Sequence, residues 1–391
     1  MNHAHAPLRR SILAMIVAVF ALALLLPGSA AAKPEFPGKG KTVNTMTRNL
    51  YLGANLLPAI FAPDLGAFVA ANGQILREVT ANDFPLRAKG LAAEILEQEP
   101  DLVGLQEVAL WRTAPVDFGV LEEGPSATTV RYDYLQELLA ELNAGKGKGG
   151  KGKPQYEVVV VQPEFDLEAP ADEDGDPKTG PLGADVNGRL TMRDAILAKR
   201  GAGVRTWNEQ SANFETVLPV EILGNVVPIV RGWTATDAKV RGSRPFRFVN
   251  THLEAFDPEV RLGQALELVD EDGPATSDLP VVLVGDLNSD DDEETTTPAN
   301  RLAFEALTAA GMVKRSTNEP FSCCLGRSLL EATPAEEAEG SADFDHQVDH
   351  ILTRDPETVE LQSSTVTGLL PVNGFWNSDH AGVFSALRFD R

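Results

Sequence analysis

The chain has only two cysteines in 391 residues, and they are neighbours, Cys323-Cys324. Adjacent cysteines cannot staple distant elements, because a disulfide requires its Cβ vectors to converge across a defined gap. A disulfide framework is therefore excluded; a vicinal disulfide and a pair of half-buried thiols both stay open. Aromatic residues are also few: four Trp, four Tyr and 17 Phe make up 6% of the chain. No aromatic cluster or well-matched arginine for stacking bases stands out. Basic residues are outnumbered, 34 Lys and Arg against 57 Asp and Glu, for a formal net charge of −23. Such a surface repels polyanions at long range, whereas tight non-specific nucleic-acid binding asks for a basic footprint. The charge weakens a nuclease reading without excluding it, since a bound metal ion supplies local positive charge.

A membrane-spanning run is missing as well. The apolar segment Ile12–Leu26 is 15 residues long, against the roughly 20 that a spanning helix needs. Arg9 and Arg10 precede it, and small residues ending in Ala30-Ala31-Ala32 follow. This is the layout of a secretory signal. We expect residues 1–32 to be removed, 33–41 to be a short linker, 42–391 to form one catalytic domain, and the product to be extracellular. Loss of the leader takes away two Arg and no acid, which moves the net charge to −25.

What is present is a set of short apolar runs with β character: 42–46, 102–105, 156–161, 195–199, 246–251, 281–284, 348–352 and 382–387. Near-continuous apolarity suits strands covered on both faces. Two helical patterns lie between them. Residues 83–98 repeat apolar positions at Ala88, Leu91, Ala92, Ile95 and Leu96 before Pro100, and residues 258–270 do so at Leu262, Ala265, Leu266 and Val269. Strands mixed with helices over this length imply a layered α/β domain. Residues 145–153 (GKGKGGKGK) read as an exposed connection, and 316–343 as mostly irregular. In 171–187, Asp172, Asp174 and Asp176 alternate as in calcium loops, but the closing bidentate Glu is missing, which favours a solvated acidic loop.

The chemistry lies where polar residues end apolar strands. DLVGLQE closes on Glu107, RFVNTH on His252, and VVLVGDLN on Asp286 and Asn288. Strand ends of α/β sheets open onto one rim, so groups distant in sequence converge there. A carboxylate leaving the core is costly unless a cation or hydrogen bonds satisfy it, so Glu107 and Asp286 invite a hard cation. Beyond the leader only four histidines occur, 252, 346, 350 and 380, and two sit in Asp-His pairs, Asp349-His350 and Asp379-His380. The spacing His346-x-x-x-His350 resembles half a zinc site, but such pairs sit on helices and this stretch reads as strand.

The order of these motifs resembles the endonuclease/exonuclease/phosphatase superfamily, with its DNase I-like nucleases, sphingomyelinases and inositol-polyphosphate 5-phosphatases. Arg48-Asn49-Leu50, Gln106-Glu107, Asn250-Thr-His252, Gly285-Asp286-Leu-Asn288, Val348-Asp349-His350-Ile and Ser378-Asp379-His380 match its motifs in sequence order. The resemblance implies a DNase I-like four-layer α/β sandwich, two mixed sheets packed face to face and flanked by helices. It implies a divalent metal, Mg²⁺ foremost with Mn²⁺ or Ca²⁺ as alternatives, held by Asn49, Glu107 and Asp379. Asp286 would orient or deprotonate the attacking water, and Asn288 would hold that water or a phosphoryl oxygen. His252 would serve the phosphoryl group or the leaving oxygen, and His380, held by Asp349, would contact the phosphate. Trp376, just before Ser378-Asp379-His380, is the candidate substrate contact, with core packing as the alternative.

The expectation is a secreted, monomeric, metal-dependent phosphodiesterase without a stable protein partner. Nucleic acid and a phospholipid head group both stand as substrate classes. The acidic surface leans against DNA, and the lack of a long aromatic hairpin leans against membrane docking. A non-catalytic binding module that retains the fold is the rival of a different class.

Overall fold

The structure, a computed structural model, describes residues 41–145, 155–201, 203–291, 296–317, 319–326, 328–341, 343–354 and 358–389. The expected leader, the linker up to residue 40 and residues 146–153 of the basic connection lie outside the described residues.

Among the described residues sixteen strands form: β1 (Lys41–Asn49), β2 (Leu102–Gln106), β3 (Leu110–Ala114), β4 (Thr129–Asp133), β5 (Tyr156–Ala171), β6 (Val186–Lys199), β7 (Arg205–Asn213) and β8 (Leu218–Ile222). They continue with β9 (Asn225–Ile229), β10 (Gly232–Lys239), β11 (Phe246–His252), β12 (Val281–Asp286), β13 (Val313–Lys314), β14 (Asp349–Thr353), β15 (Val359–Thr367) and β16 (Gly382–Phe389). The α-helices are α1 (Leu57–Ile60), α2 (Leu65–Ala81), α3 (Phe84–Gln98), α4 (Val120–Glu123), α5 (Tyr134–Ala144), α6 (Pro258–Val269), α7 (Pro298–Ala309) and α8 (Pro334–Glu339).

One sheet has eight strands, in the order β15-β16-β1-β2-β6-β3-β4 with β5 also paired to β6; the second runs β13-β14-β12-β11-β10-β7. Each contains one parallel pair among antiparallel ones, β1 with β2 and β11 with β12, and helices make those crossovers. β8 and β9 form a separate hairpin.

The apolar runs are explained by what lies on either face. On β12, Val282 and Val284 point into the layer between the sheets, with Phe246, Phe248, Ile196 and Leu387, while Val281 and Leu283 point outward. The outward face is covered by Ala265 and Leu268 of α6 and Ala303 and Leu307 of α7. β2 alternates in the same way: Leu102 faces the second sheet, and Val103 and Leu105 face Leu76, Leu91 and Leu138 from α2, α3 and α5. Side chains alternate along a strand, so both sets must be apolar when helices cover one face and a sheet covers the other. The result is the helix–sheet–sheet–helix sandwich that the resemblance implied.

Helix ends follow local chemistry. Asp257 caps α6 by accepting from the N–H groups of Glu259 and Val260, with Pro258 at the first turn. α3 starts behind Asp83, whose side chain accepts from Leu86 N–H, and stops at a left-handed Glu99 followed by Pro100. In the acidic loop the carboxylates of Asp172, Asp174 and Asp185 converge, whereas Asp176 accepts from Lys178 N–H; the alternation in sequence does not give the grouping in space.

Candidate active site

Strand register assembles the site. Parallel pairing sets Asn49 beside Gln106, with Glu107 the next residue, and sets His252 beside Asp286. On the other flank of β12, Asp349 pairs with Asp286. Asp379 and His380 fall just before β16, whose pairing with β1 reaches Thr47 opposite Val383. Both sheets thus present chemistry along one rim. Glu107 and Asn288 leave their strands with left-handed backbones, φ 54° and 46°. Asn tolerates this region; a Glu there is uncommon and fits a turn held by the surrounding structure.

Asp286 is the hub. Its Oδ2 accepts from Asn49 Nδ2 at 3.0 Å and lies 3.5 Å from His252 Nε2 and 3.6 Å from His380 Nε2. Its Oδ1 accepts from Asn288 N–H at 2.9 Å. Burial pushes its pKa up to about 6, against the opposing pull of His380. His380 Nδ1 is 2.9 Å from Asp349 Oδ2, which also accepts from Ser322 Oγ at 2.7 Å. Burial opposes a charge on His380, but Asp349 and Asp286 outweigh it and hold the imidazole well above its usual pKa. The two cysteines form a vicinal disulfide whose sulfurs lie 3.7 and 3.8 Å from His380 Nε2.

His252 is the opposite case. Burial, then Arg231 and His380, hold its pKa well below the usual value. Arg231 Nη1 sits 3.0 Å from His252 Nδ1. A guanidinium only donates, so Nδ1 must be the acceptor and the ring proton must sit on Nε2, facing the hub.

Glu107 and Asp379 occupy the remaining side of the cleft. Burial raises the pKa of both, that of Asp379 to about 6, and each carboxylate disfavours charge on its neighbours. Glu107 Oε2 accepts a 2.6 Å hydrogen bond from Leu52 N–H. Two buried carboxylates lining one cleft offer oxygen donors of the kind a hard divalent cation takes. Asn49 is differently engaged from what the resemblance implied: its amide donates to Asp286, and its Oδ1 accepts from Tyr51 N–H at 2.9 Å. Asn288 Nδ2 donates to Leu253 O at 2.9 Å, which fixes the turn after β12.

Trp376 requires a correction. It is 0% exposed, sits edge-on to Phe344 with ring centroids 5.4 Å apart, and belongs to the layer between the sheets rather than to the cleft lining. Its place next to a polar motif suggested a rim, but the backbone turns between Trp376 and Asp379. The His346/His350 pair is not a metal pair either: His346 meets Asp290 at 2.9 Å, and His350 Nε2 meets Ser289 O at 2.9 Å.

Three arginines were not singled out from the sequence. Arg231 lines the cleft among buried acids, with Glu254, Glu164, Glu107 and Asp194 sustaining its charge against burial. Arg48, 0% exposed, donates to the carbonyl oxygens of Asn49 and His380 while Glu94 pairs with its Nε at 3.0 Å. Arg87 donates to the carbonyls of Leu50, Tyr51 and Asn377. Arg48 and Arg87 therefore clamp the two loops that carry Asn49 and Asp379. The only signal was a basic residue inside an apolar pattern: Arg48 ends a buried strand, and Arg87 lies beside Ala88 on the buried face of α3.

The cleft is lined by Glu107, Arg231, His252, Asp286, Asp379 and His380 at one end, and has a volume of about 1210 Å³.

An endonuclease/exonuclease/phosphatase family protein from Bacteroides thetaiotaomicron has a similar fold, with TM-score 0.50 at 15% identity over 90% of this chain and all of that one. A Bacteroides vulgatus endonuclease/exonuclease/phosphatase gives 0.48 at 18% identity, over 89% and 99%. The Bacteroides thetaiotaomicron VPI-5482 mannosyl-6-phosphatase Bt3783 gives 0.49 at 14%, over 89% and 100%. No curated protein matches the sequence. The profile of the endonuclease/exonuclease/phosphatase family matches residues 68–380, which span the rim from the first helices to His380, and the chain belongs to this family of phosphate-ester hydrolases.

Proposed function

We propose that the protein is a metal-dependent phosphodiesterase in which Asp286 activates water. The observation that carries this is the asymmetry around Asp286: a charged imidazole on one side and a neutral one on the other, with the carboxylates of Glu107 and Asp379 lining the same cleft. Glu107 and Asp379 would hold a divalent metal, which when bound neutralises phosphoryl charge and polarises the P–O bond. His380, kept protonated by Asp349, donates from Nε2 to a non-bridging oxygen. His252, fixed by Arg231 with its proton on Nε2, donates to a second phosphoryl oxygen or to the departing one. Asn49 orients Asp286, and Asn288 holds the turn that places it. The water oxygen bonds to phosphorus, its proton passes to Asp286 Oδ2, and the P–O ester bond breaks, with the departing oxygen protonated from solvent.

The test is hydrolysis of bis(4-nitrophenyl) phosphate with Mg²⁺ by the wild type and by Asp286→Ala. We expect wild-type turnover and a loss of at least about 100-fold in the variant. Equal rates would rule out the assigned base and point to a contaminating activity.

A further inference from the structure

The cleft does not end at the chemistry. A phosphate and its immediate ester atoms fill a small part of about 1210 Å³, a volume above the roughly 300–1,000 Å³ of ordinary small-molecule pockets. Away from Asp286 the lining is predominantly apolar. Ile60 at the end of α1 and Phe61 just after it line the trough, with Leu218 and Val220 from the β8–β9 hairpin and Leu167 and Leu190 from β5 and β6. Part of this lining is open to water. Phe61 is 74% exposed, and Phe256, which also lines the cleft, is 60% exposed. An apolar trough continuous with a phosphate-processing site is a surface whose occupant must itself be apolar.

Resting on the phosphodiesterase reading above, we propose that the substrate is an amphiphilic phosphoester whose long aliphatic chain lies in this trough while its phosphate sits at Asp286. A nucleotide fits less well. The polar edges of a base need partners that an aliphatic wall lacks, and the net charge of −23 repels an extended polyanion. A hydrocarbon chain needs only area. The hairpin also revises what the sequence suggested about lipids: its contribution is aliphatic, and it walls a trough beside the site.

The experiment uses the full chain with Mg²⁺ and 4-nitrophenyl phosphodiesters whose second ester is methyl, butyl, octyl or thymidin-5′-yl. All are held below micelle-forming concentrations. A fully buried methylene is worth about a fourfold gain in binding. With partial burial, kcat/KM for the octyl ester should exceed that of the methyl ester by at least about tenfold. Leu167→Asp and Val220→Asp place a charge on two separate walls at half-buried positions. Each should bring the octyl-to-methyl ratio to near unity, with circular dichroism confirming the fold.

A methyl ester hydrolysed as well as the octyl ester, or a thymidine ester preferred over it, overturns the chain proposal and leaves the phosphodiesterase reading standing. A ratio that survives in both folded variants overturns the trough as the binding place. Turnover of no ester sinks the phosphodiesterase reading instead. The trough is then judged by calorimetry of octyl phosphate binding in EDTA: saturable binding that Leu167→Asp weakens at least tenfold supports it, and no binding overturns it.

Discussion

At the scale of single residues, the two site histidines have the same side chain and opposite states because their partners differ. His380 faces carboxylates and His252 faces a guanidinium. Arg231 is thus a positioning residue acting through His252. Replacing it by Gln should lower kcat/KM by about 10- to 100-fold. The nitrogen-15 spectrum of His252 should at the same time change from a pure Nε2–H tautomer to a mixture. A structural role alone would leave that spectrum as it is. Glu107, His252, Asp286, Asp349, Asp379 and His380 were legible in the sequence because each lies at or beside an end of a buried strand, Asp349 opening β14 and Asp379 and His380 just preceding β16, where an idle charge is costly. Arg231 was not, because it sits just before β10 (GWTATDAK), a strand with no apolar run to mark it. Trp376 was misplaced because adjacency in sequence says nothing about which way a turn aims a side chain.

His350 shows how a histidine next to a site residue can be purely structural. It is fully buried, stacks near Phe304 at 4.8 Å between ring centroids, and is approached by Lys314, Asp291 and Asp349. Burial, with Lys314 second, lowers its pKa to about 4. Between that value and the ordinary pKa near 6.5, the unfolded chain binds a proton that the folded chain refuses. The stability His350 contributes is therefore fully present above pH 6.5 and lost as pH falls to 4, a loss of about 3 kcal/mol. Urea melts of wild type and His350→Gln should show their stability difference moving by that amount between pH 7 and 4, with the wild type losing ground. A constant difference would contradict the assignment.

At the scale of elements, most strands recognised from sequence are buried on both faces, with the half-wet run 156–161 of β5 as an exception; those passed over are half-wet or, like β10, buried without an apolar run. β7 (RTWNEQSAN) is an edge strand with mostly exposed side chains, and the hairpin β8–β9 carries a proline in each strand. Helix α2 escaped notice although Phe68, Val69, Ile75, Leu76 and Val79 are buried; Gly73 in its interior weakens the pattern, and packs against the Asp172 backbone. What no pattern in one strand can show is how two sheets meet. Gly104 on β2 faces the second sheet so closely that a Cβ there would stand 2.4 Å from Asn250 Oδ1 and 2.5 Å from Val284 Cγ2. Asn250, fully buried on β11, accepts from Gln106 Nε2 and donates to Leu105 O, tying the two sheets one residue from Glu107 and two from His252. Gly104→Ala should therefore cost about 1–3 kcal/mol by wedging the layers apart. An unchanged urea midpoint would show that the sheets yield freely.

At the scale of the whole molecule, two sheets with one parallel pair each bring four strand ends to one rim, where Glu107, His252, Asp286, Asp379 and His380 line one cleft. In an acidic protein, Arg231 and His380 stand in the cleft with the buried carboxylates Glu107, Asp286 and Asp379, of which Glu107 and Asp379 are proposed to hold a metal ion. The central claim is that Glu107 holds that ion. The direct measurement strips the protein with EDTA and follows the return of bis(4-nitrophenyl) phosphate turnover as Mg²⁺ is added, for wild type and Glu107→Gln. Wild type should recover saturably, and Glu107→Gln should need at least about 100-fold more Mg²⁺ or stay inactive. Full activity in EDTA, or identical Mg²⁺ curves for the two proteins, would contradict it.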